Sequence, residues 1–170
     1  MKKNLLSFMA LAMPVMFFSS CSKSSGEDAT DAMNLKAKEF ETVLQSNKYR
    51  LVDFYSDKPV DYYEGDTEVK AETDLRAYIK PYLVDDENVF SPEGGLKIVQ
   101  NAKTIPGDET SILNRNYNVS SNSKEVMLTF VDYMYSPANY KVSEFTASGF
   151  TLYMDWPNGA KLYSKFQSVN

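Results

Sequence analysis

The stretch Phe150-Thr151-Leu152-Tyr153-Met154-Asp155-Trp156, then Pro157-Asn158-Gly159, then Ala160-Lys161-Leu162-Tyr163-Ser164-Lys165-Phe166, decides the fold. Phe150, Leu152, Met154 and Trp156 alternate with Thr151, Tyr153 and Asp155. After the break, Ala160, Leu162, Ser164 and Phe166 alternate with Lys161, Tyr163 and Lys165. A period of two is the pleat of a strand with one wet face. Between the runs, proline presets a type I turn and glycine supplies the positive φ that ends it. The stretch is a β-hairpin.

Upstream, the same period recurs. Tyr140 and Val142 alternate with Lys141 and Ser143, and Ala147-Ser148-Gly149 turns the chain into the hairpin. Val126, Leu128 and Phe130 alternate with Met127, Thr129 and Val131, and Leu113, Arg115, Tyr117 and Val119 with three asparagines. Asn88-Val89-Phe90 and Leu96 to Gln100 flank the turn Ser91-Pro92-Glu93-Gly94-Gly95. A first strand puts Tyr49, Leu51, Asp53 and Tyr55 on one face and Arg50, Val52 and Phe54 on the other. Residues 57–73 and 101–110 read as loops, and Asp74 to about Lys80 as a short helix stopped by Pro81. A helix capped by Asp31 begins near Ala32, with Met33, Ala37, Phe40, Val43 and Leu44 on one face. The expected fold is all-β with one or two short helices. Its first architecture is an eight-stranded antiparallel up-and-down barrel with a helix at one end, because closure removes exposed strand edges. A two-sheet β-sandwich fits the same alternation.

The N-terminus has a different character. Lys2 and Lys3 precede an apolar run from Leu5 to Phe18, too short to span a bilayer. Ser19 and Ser20 follow, directly before Cys21. This resembles the lipobox of bacterial lipoprotein signal peptides, in which the cysteine is lipidated and the peptide is cut before it. An ordinary secretory peptide is the alternative. The resemblance divides the chain into a signal peptide at 1–20, a flexible Ser- and acid-rich tether at 21–32 and a domain at 33–170. Ser22, where an aspartate would imply inner-membrane retention, points to the outer membrane, on its periplasmic face or at the cell surface.

The chain of 170 residues carries 18 basic and 23 acidic side chains, no histidine and one cysteine. An acidic balance argues against nucleic acid as a partner. Without histidine, and with the cysteine at the lipid, Cys–His and Ser–His catalysis are closed. Carboxylate pairs at Asp85 and Asp86, or Asp61 and Glu64 beside Tyr62 and Tyr63, suit turn caps and solvated faces better than general acid–base work. Asp85, Asp86 and Glu87 match no calcium-loop spacing. No catalytic residue, metal ligand or cofactor is expected, and the protein reads as a non-enzyme. Tyrosine is abundant, at twelve residues. Its rings could face carbohydrate, though half-buried strand positions suit them better.

A signal peptide ending in Cys21, a short helix and then barrel-like strands resembles the lipocalin-like domain lipoproteins of Gram-negative bacteria. Three places carry it. Asn47-Lys48-Tyr49 stands where lipocalins place Gly-x-Trp. Residues Pro81 to Phe90, with Gly94-Gly95, are similar to the family's acidic pair, aromatic strand and glycine turn. The run from Tyr140 through Phe150-Thr151-Leu152 to Phe166 is similar to its last three strands. The resemblance implies an envelope protein held at the membrane by the lipid on Cys21, whose barrel binds a small apolar or amphipathic ligand. The inward candidates are Tyr49, Phe130, Tyr140, Phe150, Leu152, Met154, Trp156 and Leu162. The same residues would fill a barrel that holds no ligand and instead contacts an envelope protein, and the sequence leaves both open.

Overall fold

The fold is seen in a computed structural model. It describes residues 25–64, 67–107, 111–131 and 137–169, so Cys21 and the expected signal peptide at 1–20 lie outside it. Helix α1 spans Ser25–Ser46. It begins earlier than the expected start near Ala32, so residues 25–32 of the expected tether are helical. Asp28 and Asp31 fall in its first turns, where carboxylates interact favourably with the amino-terminal end of the helix dipole.

The strands are β1 (Lys48–Glu64), β2 (Thr67–Asp74), β3 (Glu87–Phe90), β4 (Gly95–Val99), β5 (Ile112–Ser121), β6 (Val126–Val131), β7 (Pro137–Thr146), β8 (Gly149–Asp155) and β9 (Lys161–Val169). Their order is β2-β1-β3-β4-β5-β6-β7-β8-β9, and β1 also pairs with β9. That pairing runs antiparallel from Lys48 opposite Val169 to Ser56 opposite Leu162. It joins the ends of the meander, so β1 and β3 to β9 form a closed eight-stranded antiparallel barrel. A sandwich would leave this seam open.

Three local expectations are corrected. The segment 57–73 is not a loop: β1 continues to Glu64 and β2 returns along it. The pairing is irregular between Tyr55 and Val60, around Asp57-Lys58-Pro59. A proline cannot donate to a ladder and is tolerated at such a break. The Ser56 hydroxyl braces it by donating to the carbonyls of Lys58 and Glu72. Pro81 does not stop a helix but starts one. A 3-10 turn at Arg76–Tyr78 precedes α2, Pro81–Asp85, with proline in its first turn. Its missing N–H would be unbonded there in any case, and its fixed φ suits a helix. In β1, the register slips between Leu51 and Asp53. The extra residue, Val52, is exposed. Beyond it the faces exchange, so Phe54 and Ser56 turn inward and Asp53 and Tyr55 outward.

Packing follows from this topology. Asn47 alone joins α1 to β1, which places α1 over the barrel end that also carries the β3–β4, β5–β6 and β7–β8 turns. Phe40 and Leu44 of α1 are fully buried among Tyr49, Phe90, Leu128, Phe150 and Leu152. The Phe40 ring meets Phe150 edge-on at 5.5 Å and Phe145 at 5.3 Å. Asn34 Oδ1 accepts a hydrogen bond from the Ser121 hydroxyl, and Asn47 donates to the Ala147 carbonyl, so α1 is tied to two of those turns. A second core, Val60, Leu75, Ala160 and Leu162, lies toward the opposite end. Among the described residues, no helix is long and apolar enough to cross a membrane.

Candidate functional site: the barrel interior and its far end

The eight inward candidates are not one constellation. Tyr49, Phe150 and Leu152 belong to the core beneath α1 and are fully or almost fully buried. Tyr49 sits at the helix end of that core, directly against α1. Its ring meets Phe150 at 4.9 Å and Phe90 at 6.4 Å, and its hydroxyl donates to the Val43 carbonyl at 2.6 Å. Buried to this degree, the three offer no surface to a ligand.

Phe130 and Tyr140 pack on the outer part of the same core and remain half-buried. Cross-strand pairing sets Tyr140 opposite Leu128, and the Phe130 and Tyr140 rings stack at 5.2 Å, 12° from parallel. Leu162 is buried in the second core, with Met154 and Trp156 packed against it and half-buried. The turn Trp156 to Ala160 is closed by two backbone hydrogen bonds of 2.9 Å. All of these sit toward the end opposite α1, where the connections β4–β5, β6–β7 and β8–β9 lie.

Sequence periodicity did not single out the polar groups of this end. Asp86 is fully buried and Gln100 nearly so. The register that sets Glu87 opposite Val99 brings these two level with each other. Gln100 Oε1 accepts the Ile105 N–H at 2.7 Å, which folds the 101–107 segment back onto the barrel. Arg115 shares the inward parity of Leu113 and Tyr117 and is half-buried. Tyr117 was legible as an inward residue. Its hydroxyl donates to the Ser91 carbonyl and accepts from Gln45 of α1. Burial raises its pKa above the ordinary tyrosine value, Gln45 lowers it, and Glu41 and Glu93 add to the rise.

The chain is similar to a lipocalin-like protein from Bacteroides uniformis. That solved structure is 16% identical, with a TM-score of 0.37, and the match covers 74% of this chain and 99% of that one. No protein-family model and no curated protein matches the chain.

The acidic candidates disperse. Asp85 accepts the Lys103 N–H through its carboxylate and the Asn101 amide through its carbonyl. Glu87 accepts from Arg50 at 2.6 Å and Lys48 at 3.3 Å on the outer face. Asp61 accepts the Ala71 N–H at 3.1 Å, where Ala71 holds a φ of 52°. The side chains of Tyr62, Tyr63 and Glu64 lie outside the described residues. Among the described residues, no group of three or more metal-ligating side chains gathers.

Proposed function

We propose that this protein is a non-enzymatic, lipid-anchored module of the cell envelope that binds a small apolar or amphipathic ligand at the barrel end opposite α1. One observation carries the reading: the inward face changes character along the barrel axis. Beneath α1 it is sealed by Phe40 and Leu44. Toward the other end, Phe130, Tyr140, Met154 and Trp156 stay half-buried, and the same end of the barrel holds the buried polar residues Asp86 and Gln100, level with each other past the ends of β3 and β4. Apolar walls with a few fixed polar groups are what a small-molecule site requires. The anchor rests on the lipobox-like residues before Cys21, with the outer membrane as its place, and the acidic chain leaves membrane attachment to the lipid.

Trp156 is the only tryptophan, so its fluorescence reports on this end alone. Titration with a fatty acid and with a retinoid-like probe should shift its emission, and Trp156→Phe should weaken retention of the probe. Unchanged emission with every probe overturns the ligand reading. It would leave the alternative favoured by the insertion of Phe40 and Leu44: a side-chain-filled barrel that acts as a structural or protein-interaction lipoprotein.

A further inference from the structure

A second cluster lies on the outside of the barrel. Tyr55, Tyr163 and Tyr153 are cross-strand neighbours on β1, β9 and β8. Their inner-face counterparts, Ser56, Leu162 and Leu152, are buried, so the three rings stand on the outer face. Tyr55 and Tyr163 stack at 4.9 Å, 9° from parallel, and Tyr153 continues the row at 5.7 Å. Ammonium groups close the far end: Lys161 Nζ is 4.5 Å from the Tyr153 centroid and Lys141 Nζ is 5.8 Å away. At the near end, Tyr55 lines an open cleft of about 300 Å³ together with Asp53, Ser56, Thr73, Asp74 and Arg76.

The polar side of this cleft is already arranged. Arg76 meets Asp74 through two hydrogen bonds, Nε to Oδ1 at 2.9 Å and Nη2 to Oδ2 at 2.5 Å, and its Nε lies 3.6 Å from Asp53 Oδ1. The hydrogen bonds from Arg76 hold the Asp74 carboxyl down to about 2, so the pair stays charged at neutral pH.

We propose that this cleft binds a neutral saccharide, with its C–H face on the Tyr55 ring and its hydroxyls on Asp53, Thr73, Asp74 and Arg76. Stacking against Tyr163, itself backed by Tyr153, fixes the plane of Tyr55, so a ligand does not have to order it. A pyranose offers one flat apolar face and a rim of adjacent hydroxyls. Carboxylate and guanidinium groups present paired acceptors and paired donors to such a rim. The charge balance selects a neutral ligand. An anion would face two carboxylates, and a small cation would have to displace Arg76 from both of them.

Saturation-transfer NMR on the full chain tests this, with maltotriose, cellotriose and chitotriose as saccharide probes and choline chloride as the cationic one. The expected result is transfer to the ring protons of at least one trisaccharide, weakened at least tenfold by Tyr55→Ala and by Arg76→Gln. Arg76 is exposed, so Arg76→Gln decides the matter even if Tyr55→Ala does not fold. No transfer to any trisaccharide, transfer that survives Arg76→Gln, or transfer to choline alone overturns the proposal. None of these outcomes bears on Trp156 at the other site.

Discussion

The hydroxyl of Tyr49, in the first barrel strand, donates a 2.6 Å hydrogen bond to the carbonyl of Val43, in the last turn of α1. Carbonyls in the last turn of a helix have no backbone N–H partner within the helix. This one also accepts the Ser46 hydroxyl at 2.7 Å. A strand side chain thus completes the helix end, while its ring packs on Phe90 and Phe150 in the core on which the helix rests. Tyr49→Phe keeps the ring and removes the donor. It should lower unfolding free energy by about 1 kcal/mol, read from the urea midpoint. An unchanged midpoint would mean that the bond adds nothing to what packing already supplies.

Glu87 should make stability depend on pH. Partial burial pushes its carboxyl up, but the hydrogen bonds from Arg50 and Lys48 outweigh burial and hold it below the ordinary value of 4.5. A carboxyl lowered on folding contributes stability that is fully present above its unfolded pKa and lost as pH falls through its folded value. The urea midpoint should therefore drop as pH falls below about 4.3, the usual glutamate range. Glu87→Gln should be less stable at pH 7 and show a shallower acid decline. Parallel pH profiles for the two proteins would contradict this role.

Gly149 opens β8 directly opposite Gln167. A Cβ on it would lie 2.3 Å from the Phe166 carbonyl oxygen and 3.2 Å from the Gln167 Cα. Both obstacles are backbone, so no rotamer relieves the clash. Gly149→Ala should cost about 1–3 kcal/mol, as overpacking does. Denaturant unfolding measures it, and a neutral result would mean that β8 and β9 can separate there without loss.

Cys21→Ser tests the anchor. Lipid-borne attachment predicts that the variant leaves the membrane fraction after cell lysis, while the unaltered protein sediments with it. A variant that still sediments with membranes removes the lipid from the account. Proteolysis of intact cells, run in parallel, separates a periplasmic domain from a surface one.

The most legible strands were those from β6 to β9. Leu128, Val142, Leu152 and Leu162 face the core, and their neighbours lie on the outer face, where Thr151 alone among them is covered, bonded to Glu144. The face of α1 was legible for the same reason, with Ala37, Phe40 and Leu44 on one side. The β1–β2 arm was not. Thr67–Asp74 reads TEVKAETD, with too few apolar residues to show a period, and its strand character comes from backbone pairing with β1. The reversal of faces in β1 was hidden because the slip at Val52 depends on the partner strand β9, which lies far away in sequence. That slip places Tyr55 beside Tyr163, so the outer cleft could not be read from β1 alone. The division of the inward residues was equally invisible. Periodicity gives the side of a strand, while the depth to which α1 enters decides which of those side chains are sealed.

The β1–β9 seam constrains the order of events in the life of the chain. The first barrel strand waits for the last, since Lys48 pairs with Val89 on one side but finds its partner on the other only at Val169. Until the carboxyl-terminal residues have emerged, β1 and β8 each keep a bare edge, and the ring cannot form on a partly synthesised chain. Pairing between such distant segments is slow, because the intervening loop must close before any contact rewards it. A chain cut short before β9 would be left with two strand edges open to aggregation.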